Sequence, residues 1–250
     1  MKRPIFFDQH PVWFVFILEI IIIFVYLLSG TAAAVMKLTN LALYGIANVT
    51  LVVISVGLIT ALGWWKVIGF QFFKRSGDWW FFLIPFIPMA INLIPGINII
   101  NFRHLVVVFF ITLSVGFVEE TFFRGLMLYS LRNSSAWFAI LVTSLLFGFT
   151  HAMNITAGKS VLDTVSQIMY AIAIGIAFAA LVIRKGVIWP LMIAHFLTDF
   201  FYFLQRTNGF FSPTQELIIT FSITVIFISY GLWLMFHPVR EPIQLKESLT

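Results

Sequence analysis

The sequence predicts an all-α, polytopic membrane protein with about eight transmembrane helices. Three observations predict it. Hydrophobic residues make up 61% of the 250 positions and charged residues 10%, against about 45–50% and about 25% in a soluble domain. Thirty Phe and eight Trp give a lipid-facing composition. Apolar runs near the roughly 20 residues that a bilayer-spanning helix needs recur along the chain. A soluble globular enzyme, a disordered chain and a nucleic-acid binder are excluded. The net charge of +5 comes from basic residues scattered singly and in pairs, with no nucleic-acid stripe. There is no cysteine, which excludes disulfides, thiolate metal sites, cysteine nucleophiles and lipidated cysteines.

The eight candidate spans are Val12–Leu28, Leu41–Leu62, Trp79–Ile94, Leu105–Ser130, Trp137–His151, Leu162–Ile183, Val187–Leu204 and Leu217–Phe236. The first follows only two basic residues and no small-residue cleavage site, so it reads as retained. The third and fifth are short and recruit flanking residues or tilt less. Pro85, Pro88 and Pro95 break up the third. Trp64, Trp65, Trp79 and Trp80 flank the second loop and read as an interfacial aromatic belt. Ser160 followed by Asp163 reads as the N-cap of the sixth span. Ala171, Gly175 and Ala179 form a small-residue stripe that lets another helix come close. The organisation is one integrated membrane domain: three helices over 1–104, a core over 105–205 and a final span with its tail over 206–250.

Eight spans place eleven of the fifteen basic residues on one side and four on the other. The eleven are Lys2, Arg3, Lys66, Lys74, Arg75, Arg124, Arg132, Arg184, Lys185, Arg240 and Lys246, and the four are Lys37, Arg103, Lys159 and Arg206. The positive-inside rule then places both termini in the cytoplasm of a cell membrane.

Ionisable groups inside apolar spans are costly and therefore informative. Glu19, Glu119, Glu120, Arg124, His151, His195 and Asp199 stand out. Glu19, alone on its span, reads as an internal hydrogen bond that fixes packing. The others form a pattern. Glu120 and Arg124, four apart, share a helix face and form a structural ion pair. Glu119 lies about 100° away around the helix and stays free. His195 and Asp199 are also four apart. At about 1.5 Å per residue, Glu119, His151 and His195 lie about 17, 21 and 12 Å from their cytoplasmic helix ends. These depths allow one layer of chemistry within the membrane. Groups of this type from three helices have the character of general acids, bases or metal ligands. With Glu119, His151, His195 and Asp199 as the catalytic set, the same four are also the donors for a divalent metal such as zinc. No cofactor follows from the sequence beyond that ion.

Glu-Glu-x-x-x-Arg (Glu119, Glu120, Arg124), Phe-x-x-x-His (Phe147, His151) and His-x-x-x-Asp (His195, Asp199) resemble the motifs of the CPBP family. That family takes in CAAX prenyl proteases, bacteriocin-processing proteins and Abi-like proteins. The resemblance implies a CAAX-protease-type bundle of eight helices with the site open toward the cytoplasm. It implies that Glu119 and His151 activate a water. It also implies that His195 and Asp199 stabilise an oxyanion or hold a metal. Members carry Asn or Asp at the last position; Asp is the poorer oxyanion donor and the better metal ligand. Other hydrolytic signatures are absent: there is no His-Glu-x-x-His, no Gly-x-Ser-x-Gly and no Gly-x-Gly-Asp. The expected activity is intramembrane endopeptidase cleavage of a membrane peptide or protein by a Glu/His-activated water, with the lipid bilayer as the second partner. Two rivals are a non-catalytic immunity or sensor-scaffold protein of the same fold and a proton-coupled transporter.

Overall fold

A computed structural model describes residues 9–38, 40–74, 76–155, 158–206 and 210–237. Lys2, Arg3, Arg75, Arg240, Lys246 and both chain ends, used above for orientation, lie outside the described residues. The helices are α1 Pro11–Val35, α2 Asn40–Leu62, α3 Ile87–Asn92, α4 Phe102–Ser130, α5 Ala136–Thr150, α6 Val161–Lys185, α7 Trp189–Leu204 and α8 Pro213–Phe236. The protein is an all-α multi-pass membrane bundle.

Among the described residues six helices are long and apolar enough to cross a membrane; α7 has 16 residues, and the third span is no single helix. That span runs through the 3₁₀ turns Ser76–Phe82 and Ile84–Phe86 into the six-residue α3. Proline is the cause, since it removes a backbone donor and clashes with the preceding turn. The broken segment still travels as far as α7. At one end Gln71 donates to the Gly186 carbonyl (2.7 Å) and Lys185 pairs with Asp78 (2.6 Å). At the other, Asn98 N–H donates to the Leu204 carbonyl (2.7 Å) and Arg206 N–H to Gly96 (3.0 Å). Midway, Asn92 donates to the Thr198 carbonyl (3.0 Å). The broken segment and α7 thus run side by side along their length.

Helix punctuation follows the sequence. Ser160 caps α6, accepting from the Asp163 N–H at 3.1 Å. Gly186 closes α6 with φ 66°, a left-handed conformation that glycine takes without the penalty a side chain brings. Its turn starts α7. Trp79 and Trp80 are exposed and stacked, as a belt requires, but Trp64 is not part of one. Its ring packs edge-on against Tyr129 (4.9 Å) and Phe14 (6.1 Å) inside the core, where an aromatic buries more apolar area than at the interface.

Small residues set the spacing of the helices that build the core. A Cβ on Gly175 would sit 2.8 Å from Ser144 Cβ, so α6 touches α5 along the predicted stripe. Gly116 does the same between α4 and α7: its Cβ would sit 2.9 Å from Met192 O and from Phe196 N. Both neighbours are backbone and cannot swing away. Gly116→Ala is therefore expected to push α7 off α4 and lower stability by about 1–3 kcal/mol, as overpacking does. A thermal melt in detergent micelles checks it; an unchanged midpoint would show that the helices have slack.

Candidate functional site

The close approach at Gly116 brings the middle of α4 against the middle of α7. Glu119 is the last α-helical residue there. From Glu120 to Met127 the chain winds as a π-helix, and all eight residues are buried. The regular α-turn expected over Glu119–Arg124 is thus replaced by a wider one, a rare form found mostly at functional sites. The Glu120–Arg124 pair survives it, with Arg124 Nη1 3.3 Å from Glu120 Oε1 and both side chains essentially inaccessible.

Glu120 does more than pair with Arg124. His195 Nδ1 lies 2.9 Å from Glu120 Oε1, a cross-helix hydrogen bond that the sequence reading missed. It orients the imidazole so that Nε2 points at two other carboxylates: Glu119 Oε2 at 3.5 Å and Asp199 Oδ2 at 3.7 Å. Glu119 is therefore not isolated from the ion-pair network, as its rotation around an ideal helix suggested; it shares His195 with Glu120. The only sequence signal for that link was the pairing of two adjacent glutamates with one histidine on another span.

Phe147, the aromatic of the Phe-x-x-x-His motif, packs among Arg124, His151 and His195. The Arg124 guanidinium carbon lies 4.0 Å from its ring centre, a cation–π contact. The His151 ring stands edge-on to it at 5.1 Å, and His195 at 6.3 Å. His151 Nδ1 is 2.9 Å from the Phe147 carbonyl, so the other ring nitrogen is left for the interior.

A small cavity lies between α1, α4 and α5. Glu119, Thr150, His151 and Tyr26 supply its polar lining, and Ile22, Phe123 and Phe147 are among its apolar walls. Its volume of about 10 Å³ is the room that about one water needs. Glu119 and His151 face this space together; His195 and Asp199 do not line it and connect to it through Glu119. Glu119 Oε2, of a lining residue, is buried with no hydrogen-bond partner, as are Glu120 Oε2 and Thr121 Oγ1 on the turn that follows.

The metal expectation fares differently. Among the described residues, no three of Glu119, His151, His195 and Asp199, or of any His, Asp and Glu, come together as a group that holds a metal ion. The reason is geometric. Glu119 and His151 line the cavity, whereas His195 and Asp199 do not. The donor set does not fit a resident ion.

Comparison with known proteins bears on the same stretch. Residues 101–201 match the family model described as Rce1-like, type II CAAX prenyl endopeptidase. The match is consistent with the CPBP resemblance and contains all three motifs. No curated protein and no solved structure matches the chain.

Proposed function

Taking the type II CAAX prenyl endopeptidase match over residues 101–201 as the premise, we propose that this chain is an intramembrane endopeptidase. It cleaves a peptide bond in a membrane-associated substrate by a water that Glu119 and His151 activate. The observation that carries the reading is the shared cavity: a carboxylate and an imidazole from two helices face a space for about one water.

Glu119 takes a proton from the water as general base. His151 holds the water through the ring nitrogen that its backbone contact leaves over. The hydroxide adds to the scissile carbonyl carbon, and the carbonyl oxygen becomes an oxyanion. His195 and Asp199 face that oxygen and stabilise its charge, which requires the imidazole, and a protonated carboxyl, to donate. Glu119 then passes its proton to the leaving amine, so protons balance over the turnover. Glu120 and Arg124 hold His195 and the π-helical turn in place. A scaffold or immunity role would not need to bury these charges, and a transporter would need a path that this closed cluster lacks support for.

The test is hydrolysis by the purified protein in lipid vesicles. The probes are a farnesylated peptide ending in a CAAX sequence and an unlipidated peptide with one membrane anchor. Cleavage of either by wild type and of neither by Glu119→Gln supports the reading. No cleavage of either by wild type sinks it.

Asp199 decides the form of the oxyanion site. Asp199→Asn is expected to keep at least about a tenth of the activity, since an amide donates without needing a proton, whereas Asp199→Ala is expected to lose about 10²-fold or more. Chelators should leave the rate unchanged. Equal losses for Asn and Ala would remove Asp199 from that role.

Orientation follows the same proposal. With Arg124 buried, the alternation of spans in the sequence assigns ten basic residues and both termini to one side and four basic residues to the other, and the side with ten is the cytoplasmic one; of the ten, Lys66, Lys74, Arg132, Arg184 and Lys185 are among the described residues. The chain has no cysteine, so one introduced at Lys159 is unique. It is expected to react with an impermeant thiol reagent from outside intact cells, and one at Lys66 is not. The reverse pattern would invert the topology.

A further inference from the structure

The stretch that matches the protease family begins at residue 101, yet the cavity is not closed by that stretch alone. Helix α1, from the other end of the chain, supplies Ile22 and Tyr26 to its lining. One turn before Ile22, on the same buried face, is Glu19, only 6% exposed. A carboxylate buried on an apolar helix costs free energy. The structure shows what it touches. Glu19 Oε1 lies 2.7 Å from Thr150 Oγ1, a contact between residues 131 positions apart. Glu19 Oε2 is buried with no hydrogen-bond partner.

Thr150 is itself in the cavity wall and directly precedes His151. The two residues sit where α5 ends and passes into the 3₁₀ turn His151–Ile155. The last turn of a helix is its least constrained part, because its carbonyls lack intrahelical partners. An anchor from another helix at that point fixes what the helix by itself leaves loose. Thr150 Oγ1 also lies 2.9 Å from the Leu146 carbonyl. A hydroxyl has one hydrogen, so it can donate to Leu146 or to Glu19. Both contacts are hydrogen bonds at once only if the residue at position 19 donates to Thr150, as a neutral carboxyl or an amide does.

We propose that Glu19 is a positioning residue for the reaction: through Thr150 it pins the end of α5 and so holds His151 against the cavity that Glu119 shares. The catalytic site is thereby a product of α1 as well as of the family-matched segment. This rests on the endopeptidase reading above, and Glu119→Gln is the control that separates the two.

The experiment measures kcat and KM of wild type, Glu19→Gln, Glu19→Leu, Thr150→Val and the Glu19→Leu/Thr150→Val double variant on whichever of the two probe peptides wild type cleaves. Melting midpoints are recorded alongside. Glu19→Gln, which can still donate to Thr150, is expected to stay within about threefold of wild type. Glu19→Leu is expected to lose about tenfold or more in kcat with KM unchanged, since small misplacements of a reacting group cost rate rather than binding. Thr150→Val should match it, and the double variant should fall no further, because both remove one link. A merely structural role for Glu19 would lower the midpoint without this kcat pattern. If Glu19→Leu does not fold, Thr150→Val alone carries the test. Activity of Glu19→Leu, or then of Thr150→Val, within about twofold of wild type overturns the proposal and leaves the endopeptidase reading intact. Should wild type cleave neither peptide, the reading fails. The proposal is then judged on the ¹⁵N resonances of the His151 imidazole, which should move in Glu19→Leu and Thr150→Val but not in Glu19→Gln. Unmoved resonances overturn it.

Discussion

Glu119→Gln is expected to abolish peptide cleavage while leaving the protein inserted and folded. Gln matches Glu in size and can hold the contact to His195 Nε2, 3.5 Å away in the native chain. It cannot accept a proton from water. Loss of a positioned general base costs about 10²–10⁴-fold in rate. Because Glu119 Oε2 makes no hydrogen bond that Gln would break, expression and melting midpoint should stay near wild type. Glu120→Gln should behave otherwise, since Glu120 Oε1 lies within reach of both His195 and Arg124. Its loss weakens stability and activity together. Turnover by Glu119→Gln close to wild type, or identical behaviour of the two glutamate variants, would remove Glu119 from the chemistry.

The largest loss of stability is expected for Arg124→Ala. Arg124 is 2% exposed and Glu120 wholly buried. Removing the arginine strands the Glu120 carboxylate and opens a hole against Phe147, on whose ring the guanidinium lies. Breaking a buried pair by deleting one partner costs about 3–5 kcal/mol. That is a large share of the roughly 5–15 kcal/mol that holds a typical domain together. Low yield and a strongly lowered midpoint in detergent are the expected readings. Arg124→Lys should recover only part of the loss, because an ammonium has no planar face to lay on Phe147. A midpoint within a degree or two of wild type would mean that the pair contributes little and that the π-helical turn is held by its apolar residues alone.

How much of the site was legible depended on the kind of contact. The ion pair of Glu120 with Arg124 is local, four residues apart on one turn, and was readable from spacing. So was the shared face of His195 and Asp199. The contact of Glu120 with His195 spans 75 residues, and no periodicity reports on it. The placement of Glu119 was read on an ideal α-helix, and the π-turn that begins at the next residue lies beyond such a reading. Glu19 illustrates the limit most clearly. Its burial in an apolar run marked it as hydrogen-bonded, which it is, but the partner, Thr150, is a residue type that occurs throughout the chain. Trp64 erred in the other direction: a tryptophan pair beside a loop fits a membrane belt, and only the arrival of Phe14 and Tyr129 made one of the pair a core residue.

What the amino-acid sequence by itself determined is the class of molecule and the position of its elements. Apolar content and run length dictate a helical membrane bundle, because lipid offers the backbone no hydrogen-bond partner outside the helix. Prolines, capping serines and glycines fix where helices break, begin and end through chemistry confined to a few neighbouring residues. The tertiary structure alone decided which polar groups far apart in sequence meet. Gly116 and Gly175 let helix backbones touch, but their lack of a side chain permits an approach without naming the partner. The choice of partner is a property of the whole packing, which sets Glu119 and His151 about one small cavity, assigns His195 to Glu120, and forms no group of metal donors among the described residues. Those contacts join residues far apart in sequence, and the energy that selects them is shared among all the helices that pack.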